Sequence, residues 1–391
     1  MTSEDVKVHL ERTDIDALSR VIASGQYTMK DEVFSFEDEF ARCIGRRFGI
    51  MVNSAHSAAL IAVGSLLFKA ERPLAAGDEV IVPALSWPAT LHPLQQYGLA
   101  LRFVDVEAAT LTVDAGRLEQ ALTPRTRMVL GTSFLGNPAA LGALRAFADA
   151  HGLLFLEDAA DAPGAELDGR KAGTVGDLST FAFSPAHHVT TMEGGMVLTD
   201  DIELADLNRA LRAHGWTRDL SRTSPIFEKR YTDFFEAYRF ILPGYNLRPI
   251  ELEGALGRSQ LARLPDTLAA YRRNAARFAE AFADTPRFVL QSGRGAGVAR
   301  GLSVVAGGDA AFDVMAAVEA LAQAGITACP LADACLLRHG ALRHVQHSVA
   351  GSVANALNAA DRGLYILNRP DLPMDFAERA RAVLTTVCER S

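Results

Sequence analysis

The sequence predicts an α/β protein in which a large, mixed-sheet domain is followed by a smaller C-terminal α/β domain. The chain has 391 residues, more than one ordinary domain holds, and 49% of them are hydrophobic against 22% charged, as in folded globular proteins. Strand-like apolar runs alternate with helical patterns through the middle of the chain, and long helical patterns dominate after residue 249. We therefore expect the larger domain over residues 1–250 and the smaller over 251–391.

Two helices are predicted at the start of the chain. Apolar residues recur at helical spacing from Asp14 onward, and Gly25 can supply a left-handed stop. The second helix carries Phe36 and Phe40 on one face and ends near Gly45.

A series of strands follows, separated by helical patterns such as ALGALRAFADAHG. In chain order the predicted strands are FGIMV, DEVIVPAL, LRFVDV, RMVLGTSF, LLFLEDA, TFAFS and GGMVLTD. Alternation of this kind favours a largely parallel sheet with helices on both faces. The C-terminal part predicts the helices IELEGALGRSQLARL and DTLAAYRRNAARFAEAFAD, short strands on either side of the loop RGAGVARG, and a last helix from Phe376 to Cys388.

Charge and cysteine usage exclude several classes of function. The 39 basic and 47 acidic residues give a net charge of -8 without a block of like charges, so nucleic acid is not an expected partner. The N-terminal residues lack a signal-peptide pattern and no apolar run reaches about 18 residues, so we expect a cytoplasmic protein without membrane contact. The 4 cysteines lack metal-ligand spacing, so we expect neither a metal site nor an iron–sulfur cluster.

The strand LLFLEDA ends on an acidic pair. Parallel strands deliver their last side chains to the carboxyl edge of the sheet, where α/β proteins bind ligands, so Asp158 is a candidate ligand-binding carboxylate. A helix cap or a loop charge is the alternative for a single acid at a strand end.

Two further strand ends carry binding chemistry. After FGIMV, the segment NSAHSAAL opens an apolar helix around Ser57, and the amides at a helix N-terminus form an anion site. After DEVIVPAL, Trp87 can either stack on a planar ligand or fill the core. An acid, an anion site and an aromatic platform together fit a phosphorylated heteroaromatic ligand, and pyridoxal phosphate needs all three.

Ordered motifs extend this argument along most of the chain. From about Tyr27 onward they read SAHSAAL, IVPALSWPAT, LEDAADAPGA, FSPAHHVTTMEGG, RAHGWTRDL and LPGYNLRP. In these motifs the chain resembles the DegT/DnrJ/EryC/StrS-like family of pyridoxal phosphate-dependent nucleotide-sugar aminotransferases and dehydratases, which implies the aspartate aminotransferase-like fold (fold type I). Most members of that family carry, at the position of His187, a Lys that forms a Schiff base with the cofactor. The histidine pair before TMEGG resembles the branch of sugar 3-dehydratases.

This branch implies a reaction. The resemblance implies that the protein uses pyridoxal 5'-phosphate and pyridoxamine 5'-phosphate, takes its amino group from L-glutamate, and removes the C3 hydroxyl of a nucleotide-linked 4-keto-6-deoxy sugar, with GDP-4-keto-6-deoxy-D-mannose as the expected substrate. An imidazole forms no stable imine, but with a pKa of about 6.5 it accepts a proton at neutral pH, so His187 is the predicted catalytic base. The implied assembly is a homodimer with shared active sites and no iron–sulfur reductase.

The resemblance also assigns roles to other residues. The cofactor-binding residues it implies are Ser57 and His56 near the phosphate, Trp87 on the ring, Asp158 at the pyridine nitrogen, Asp161, Ser184, and Asn246 reaching over from the other subunit. The residues implied near the sugar are Tyr27, Thr28, His188, His214, Trp216 and Arg218. For His188, orienting a neighbour or packing is the favoured alternative.

The chain also departs from the family pattern. The unusual residues are Lys30 for Gly, Ala55-His56 for a Gly-Ser/Thr turn, Asp161 for Gln or Glu, Ala182 for Ser, and Cys329 for an Arg before Pro. The guanidinium missing at Cys329 leaves the nucleotide and the sugar open. Two other functions therefore remain possible from the sequence: an aminotransferase acting on another keto substrate, and a non-enzymatic cofactor-binding sensor.

Overall fold

The computed structural model describes residues 10–308 and 312–390. Its helices are α1 (Arg12–Ser24), α2 (Asp31–Ile44), α3 (Ala55–Phe68), α4 (Pro88–Gln96), α5 (Leu141–His151), α6 (Ile202–Arg212), α7 (Asp233–Glu236), α8 (Glu251–Ala262), α9 (Leu264–Phe282), α10 (Val314–Gln323), α11 (Ala354–Arg362) and α12 (Phe376–Arg390). Its strands are β1 (Phe48–Val52), β2 (Glu79–Pro83), β3 (Ala100–Val104), β4 (Thr126–Thr132), β5 (Leu154–Asp158), β6 (Glu166–Leu167), β7 (Arg170–Lys171), β8 (Leu178–Ala182), β9 (Gly195–Thr199), β10 (Thr223–Ser224), β11 (Phe227–Glu228), β12 (Phe288–Leu290), β13 (Gly301–Ala306), β14 (Ala328–Pro330), β15 (His347–Val349) and β16 (Gly363–Leu367). Within these described ranges, no helix combines the length and the apolar character needed to cross a bilayer.

The large sheet has the strand order β1-β9-β8-β5-β4-β2-β3-β15. Strand β9 is antiparallel to both of its neighbours, and the other neighbouring pairs are parallel. Every strand that the sequence predicted between residues 48 and 199 belongs to this sheet. The predicted α/β fold with a large mixed sheet is therefore confirmed.

Both faces of the sheet are covered, which explains why its strands read as continuous apolar runs. Successive side chains of a strand point to opposite faces. In β2, Val80 and Val82 belong to the core that also contains residues of α3, α4 and α6. Ile81, between them, belongs to a second core with residues of α2 and α5. Helices on both sides thus fix the sheet and the positions of its strand ends.

The smaller sheet lies within the predicted C-terminal domain. Strands β12, β13, β16 and β14 are antiparallel neighbours in that order, and a third core packs them against α9, α10 and α12. The chain nevertheless returns once to the large sheet, because His347–Val349 pairs in parallel with β3. Residues beyond 250 therefore contribute to both sheets, and the boundary at residue 250 remains a prediction.

Several chain segments meet at the carboxyl edge of the large sheet. Strands β4, β5 and β8 run parallel and end there side by side. Strand β1 leads through Ser54, the N-cap of α3, and β2 leads to Trp87, the N-cap of α4. This edge is where α/β folds of this kind bind ligands.

Candidate active site

A cavity of about 500 Å³ opens at this edge of the sheet. It brings together six of the residues singled out in the sequence: His56, Trp87, Asp158, Asp161, Ser184 and His187. Side chains from before β13 and from β16 complete its wall. Among the described residues, no lysine lines the cavity.

Asp158 ends β5 with its carboxylate at the cavity. One oxygen accepts a hydrogen bond from Thr90 Oγ1 at 2.7 Å and the other from the Ala160 amide at 3.1 Å. Burial raises the pKa of Asp158 to about 6, although both hydrogen bonds act to lower it. The preceding Glu157 is engaged elsewhere, since its carboxylate accepts from the backbone amides of Val175 and its neighbours. Of this acidic pair, Asp158 is thus the acid offered to a ligand, and a cationic N–H would stabilise its charged form.

His187 lies in the cavity with both ring nitrogens beside polar groups. Its Nδ1 is 2.8 Å from Ser184 Oγ, and its Nε2 is 3.5 Å from Asp161 Oδ1. Burial lowers the pKa of His187 to about 3, and the positive charge of Arg300 contributes to the lowering. The ordinary pKa assumed from sequence is therefore wrong for this site. Burial thus favours the neutral imidazole, in which one of the two ring nitrogens carries the lone pair that can accept a proton.

His188 points away from the cavity. Its Nε2 is 2.8 Å from the carbonyl oxygen of Val298, and its ring packs on Tyr271 with centroids 4.3 Å apart. It is 4% exposed and is absent from the described residues that line the cavity. Within its own chain His188 therefore packs against neighbouring residues and does not line the cavity, which agrees with the packing alternative.

The start of α3 differs in detail from the expectation for Ser57. Ser54 caps the helix by accepting from the Ser57 amide at 3.1 Å, and Ser57 Oγ donates to Asn53 Oδ1 at 2.7 Å. Ser57 is buried behind this cap, whereas Ser54, Ala55 and His56 line the cavity. His56 Nδ1 is 2.9 Å from the carbonyl oxygen of Ala89. The helix N-terminus still offers an anion site, but the side chains that face it are those of Ser54 and His56.

Four of the remaining predicted residues gather in a second cluster around Arg248: His214, Trp216, Arg218 and Asn246. Arg218 and Arg248 both stack on Trp216, at 4.0 and 5.5 Å from the ring centroid, and the His214 ring lies 4.7 Å away. Arg248 Nε donates to Asn246 Oδ1 at 3.1 Å. None of the residues predicted near the sugar or across the subunit boundary belongs to the described lining of the cavity in its own chain; they are Tyr27, Thr28, His188, His214, Trp216, Arg218 and Asn246.

Several lining residues escaped the sequence argument, among them Thr90, Arg300 and Tyr365. Thr90 had a usable signal, because it follows Trp87 by three positions at the start of one helix and such residues share a face. Arg300 and Tyr365 had none, because one lies within the glycine-rich loop RGAGVARG and the other within an apolar strand. Their place at the cavity depends on how the two sheets meet.

The donor set of the cavity fits a phosphorylated pyridine cofactor. Asp158 supplies an acceptor for a protonated ring nitrogen, and Trp87, 40% exposed at the start of α4, supplies an apolar face. The N-terminus of α3 supplies a site for a phosphate. His187 lies among these groups, and burial favours its neutral form.

The fold and this cavity define a protein of the aminotransferase type. Family comparison agrees, because the model of the DegT/DnrJ/EryC1/StrS aminotransferase family matches residues 8–385. The chain belongs to that family, and the resemblance read from its motifs is confirmed.

Within this family, the chain is similar to individual sugar 3-dehydratases. The chain is 37% identical to GDP-4-keto-6-deoxy-D-mannose 3-dehydratase of Yersinia pseudotuberculosis over 373 residues, which cover 95% of this chain and 94% of that one. It is 35% identical to dTDP-4-dehydro-2,6-dideoxy-D-glucose 3-dehydratase of Saccharopolyspora spinosa, covering 85% and 74% of the two chains. A crystal structure of GDP-4-keto-6-deoxymannose-3-dehydratase with a trapped pyridoxal phosphate–glutamate adduct superposes with a TM-score of 0.92 at 34% identity, covering 97% of this chain and 99% of the other.

Proposed function

We propose that this protein is a pyridoxamine phosphate-dependent 3-dehydratase of a nucleotide-linked 4-keto-6-deoxy sugar, with GDP-4-keto-6-deoxy-D-mannose as its substrate and L-glutamate as its amino donor. The observation that carries the proposal is the neutral, buried His187 in a cavity whose described lining has no lysine. Relatives that act on such sugars cover nearly the whole chain.

The cofactor-binding roles follow from the chemistry of the wall. When bound, the cofactor supplies an electron sink that stabilises the charge left as a proton leaves the carbon beside its nitrogen. Asp158 keeps the ring nitrogen protonated by offering a buried carboxylate, and Trp87 holds the ring by its face. The amides at the start of α3 neutralise the phosphate, with Ser54 and His56 beside them.

His187 moves the proton. Its imidazole is uncharged, so one nitrogen accepts a proton while Ser184 fixes the orientation of the ring from the other side. Because an imidazole forms no lasting covalent link to an aldehyde, the cofactor stays free to keep its amine form. A base that cannot capture the cofactor favours loss of the sugar C3 hydroxyl over net transfer of an amino group.

The assembly belongs to the same proposal. Asn246 is exposed, and the half-buried Trp216 packs on the exposed Phe240 with ring centroids 5.7 Å apart. We propose that they complete the active site of a second copy in a homodimer, with Asn246 at the cofactor phosphate. We also propose that the protein works in the cytoplasm, where nucleotide sugars are made.

A direct test incubates the protein with pyridoxal phosphate, L-glutamate and a panel of nucleotide 4-keto-6-deoxy sugars. The expected result is 2-oxoglutarate, ammonia and a sugar product lighter by one oxygen atom. A product that retains an amino group would instead assign the protein as an aminotransferase, the second candidate, which the family description itself favours. Cofactor binding without any turnover across the panel would favour the sensor.

A further inference from the structure

Two exposed apolar side chains lie together beside the start of α8. Tyr27 and Ile250 are 49 and 44% exposed, and Thr28, next to Tyr27, forms a β-bridge with Ile250. The Glu251 amide also donates to the Tyr27 carbonyl oxygen at 2.9 Å. Contiguous apolar groups at a surface mark contacts with another molecule, so this part of the surface is a candidate docking site.

Two carboxylates connect these apolar side chains to the cavity. Glu253 accepts from the Ile250 amide at 2.9 Å, and burial raises its pKa to about 7, with the negative charge of Glu193 adding to the rise. Glu193 lines the cavity and follows Met192, which is 45% exposed. Neighbouring carboxylates favour a cation supplied by another molecule. We call the surface formed by these residues the acidic face; its members are Tyr27, Met192, Glu193, Ile250 and Glu253.

The acidic face meets the cavity at its phosphate end. Gly195, two positions after Glu193, lies so close to the N-cap of α3 that a Cβ at this glycine would be 2.4 Å from the Ser54 carbonyl oxygen. Ser54 and the amides at the start of α3 form the proposed phosphate subsite. Glu193 is therefore the acidic lining residue next to that subsite.

A cationic cluster lies elsewhere on the same chain. Arg218 and Arg248 both stack on Trp216, and Phe240, which is 59% exposed, packs on the same ring. The Arg248 guanidinium contacts this ring and the Asn246 side chain, and among the described residues it has no carboxylate partner. The chain thus presents an acidic face and a cationic cluster, each with exposed apolar groups, and the two are complementary in charge.

Asn246 determines how the two surfaces meet. Under the proposed function it reaches the cofactor phosphate of a second copy. Arg248 Nε donates to Asn246 Oδ1 at 3.1 Å, which leaves the two Nδ2 donors of Asn246 for a phosphate. The guanidinium therefore arrives at the same end of the second copy's cavity, where Glu193 lies. In a two-fold dimer this contact forms twice, once in each direction.

We propose that the acidic face of one copy docks on the cationic cluster of a second copy, with Arg248 of each copy paired with Glu193 of the other. The inference rests on the homodimer of the proposed function. Each ion pair holds Asn246 at the phosphate end of the neighbouring cavity, and the exposed apolar groups of both surfaces are covered at the same time. Dimer formation and cofactor retention are then coupled through one contact.

Charge reversal at either end of the pair tests this, in protein saturated with pyridoxal phosphate. In a homodimer of Arg248→Glu or of Glu193→Arg, like charges meet at both contacts. Each variant alone should raise the dimer dissociation constant by about 100-fold, which is about 10-fold for each of the two pairs. In an equimolar mixture, the introduced glutamate meets the introduced arginine at one contact and the native pair forms at the other. Sedimentation should therefore find the mixed dimer within about 10-fold of wild type.

Two further variants control the test. Arg379→Glu makes the same charge change at an exposed arginine of α12 that lies near Asp375, and it should leave the dimer dissociation constant unchanged. Glu193→Gln keeps the shape of the side chain and removes only its charge, so it should weaken the dimer by a smaller factor even if a reversed charge impairs folding. A mixture no tighter than the single variants would overturn the inference, because the pair would then not form between copies; single variants as dimeric as wild type would overturn it as well.

These measurements are independent of the proposed reaction, because none of them uses a sugar. If the variants show the expected pattern and no sugar of the panel is dehydrated, the failure counts against the proposed reaction alone. A wild-type protein that stays monomeric at saturating cofactor would overturn both the homodimer and this inference.

Discussion

Replacing His187 by Asn tests the central assignment of the site. The side chain keeps a polar end of similar reach but loses the basic nitrogen that faces the cavity. Cofactor binding should stay within about 3-fold of wild type, because Asp158, Trp87 and the start of α3 are untouched. Both half-reactions, with glutamate and with the sugar, should slow together because each needs the same proton moved.

The size of the effect follows from the neutral state of the imidazole. Burial lowers the pKa of His187 to about 3, so the imidazole is unprotonated at pH 7 as a base requires, while the same lowering weakens its basicity. An Asn amide has no comparable basicity, and loss of a positioned general base typically costs about 10² to 10⁴ in rate. Loss of the 2.8 Å contact with Ser184 is a smaller effect, because that hydroxyl borders the cavity and can rotate to form a hydrogen bond with water.

The assay is a single turnover of each half-reaction followed by absorbance. His188→Asn is the matched control, since it makes the same chemical change at the neighbouring residue. It removes the contact with the Val298 carbonyl and the packing on Tyr271, so it should lower the free energy of unfolding by about 1 to 3 kcal/mol while retaining most of the rate. His187→Lys should allow borohydride to trap the cofactor covalently, which wild-type protein should resist, and should reduce dehydration. Near-normal turnover in His187→Asn together with an inactive but folded His188→Asn would refute the reasoning.

Further predictions concern the cofactor, the assembly and metals. Asp158 has a pKa of about 6 without the cofactor, so cofactor affinity should fall as the pH drops below about 6 and its carboxylate is neutralised; titrations of Asp158→Asn should lose that part of the pH dependence and bind more weakly throughout. The rate of the glutamate half-reaction should show no decrease caused by protonation of His187 between about pH 5 and 8, because the pKa of His187 is lowered to about 3. A pH profile of single-turnover rates at saturating cofactor would check this. Asn246→Ala should weaken cofactor binding by about 1 to 3 kcal/mol without disturbing the fold, and a fully active monomer in sedimentation would contradict the shared site. Metal analysis of anaerobically purified protein should find no stoichiometric iron, because the 4 cysteines are scattered along the sequence.

The strands and the class of ligand were readable from sequence because they depend on local pattern. Apolar runs bounded by turns identified the large sheet, and the rule that strand ends gather at one edge was enough to bring Asp158 and Trp87 to one cavity. For Ser57 the sequence indicates the start of a helix, but not which serine hydroxyl caps the helix and which one bonds elsewhere.

Burial and long-range packing limit what can be predicted about the site from the sequence. The pKa of His187 departs from its ordinary value because the walls around it come from both sheets, which no single segment reveals. Arg300 shows the same limit, since it lies 139 positions (300 − 161) from the aspartate it contacts.

The return of β15 to the large sheet constrains how the chain is made. Strand β3 includes Leu101, and its outer neighbour includes His347, 246 positions later (347 − 101). During synthesis the edge of β3 therefore stays unpaired until nearly the entire chain has emerged, and unpaired strand edges are templates for association with other chains. A fragment ending at residue 250 would keep the cavity's strand ends but present that edge permanently, together with a wall lacking Arg300 and Tyr365. Folding of the cofactor site is thus completed only with the last part of the polypeptide. Pairings between strands so far apart in the sequence form slowly.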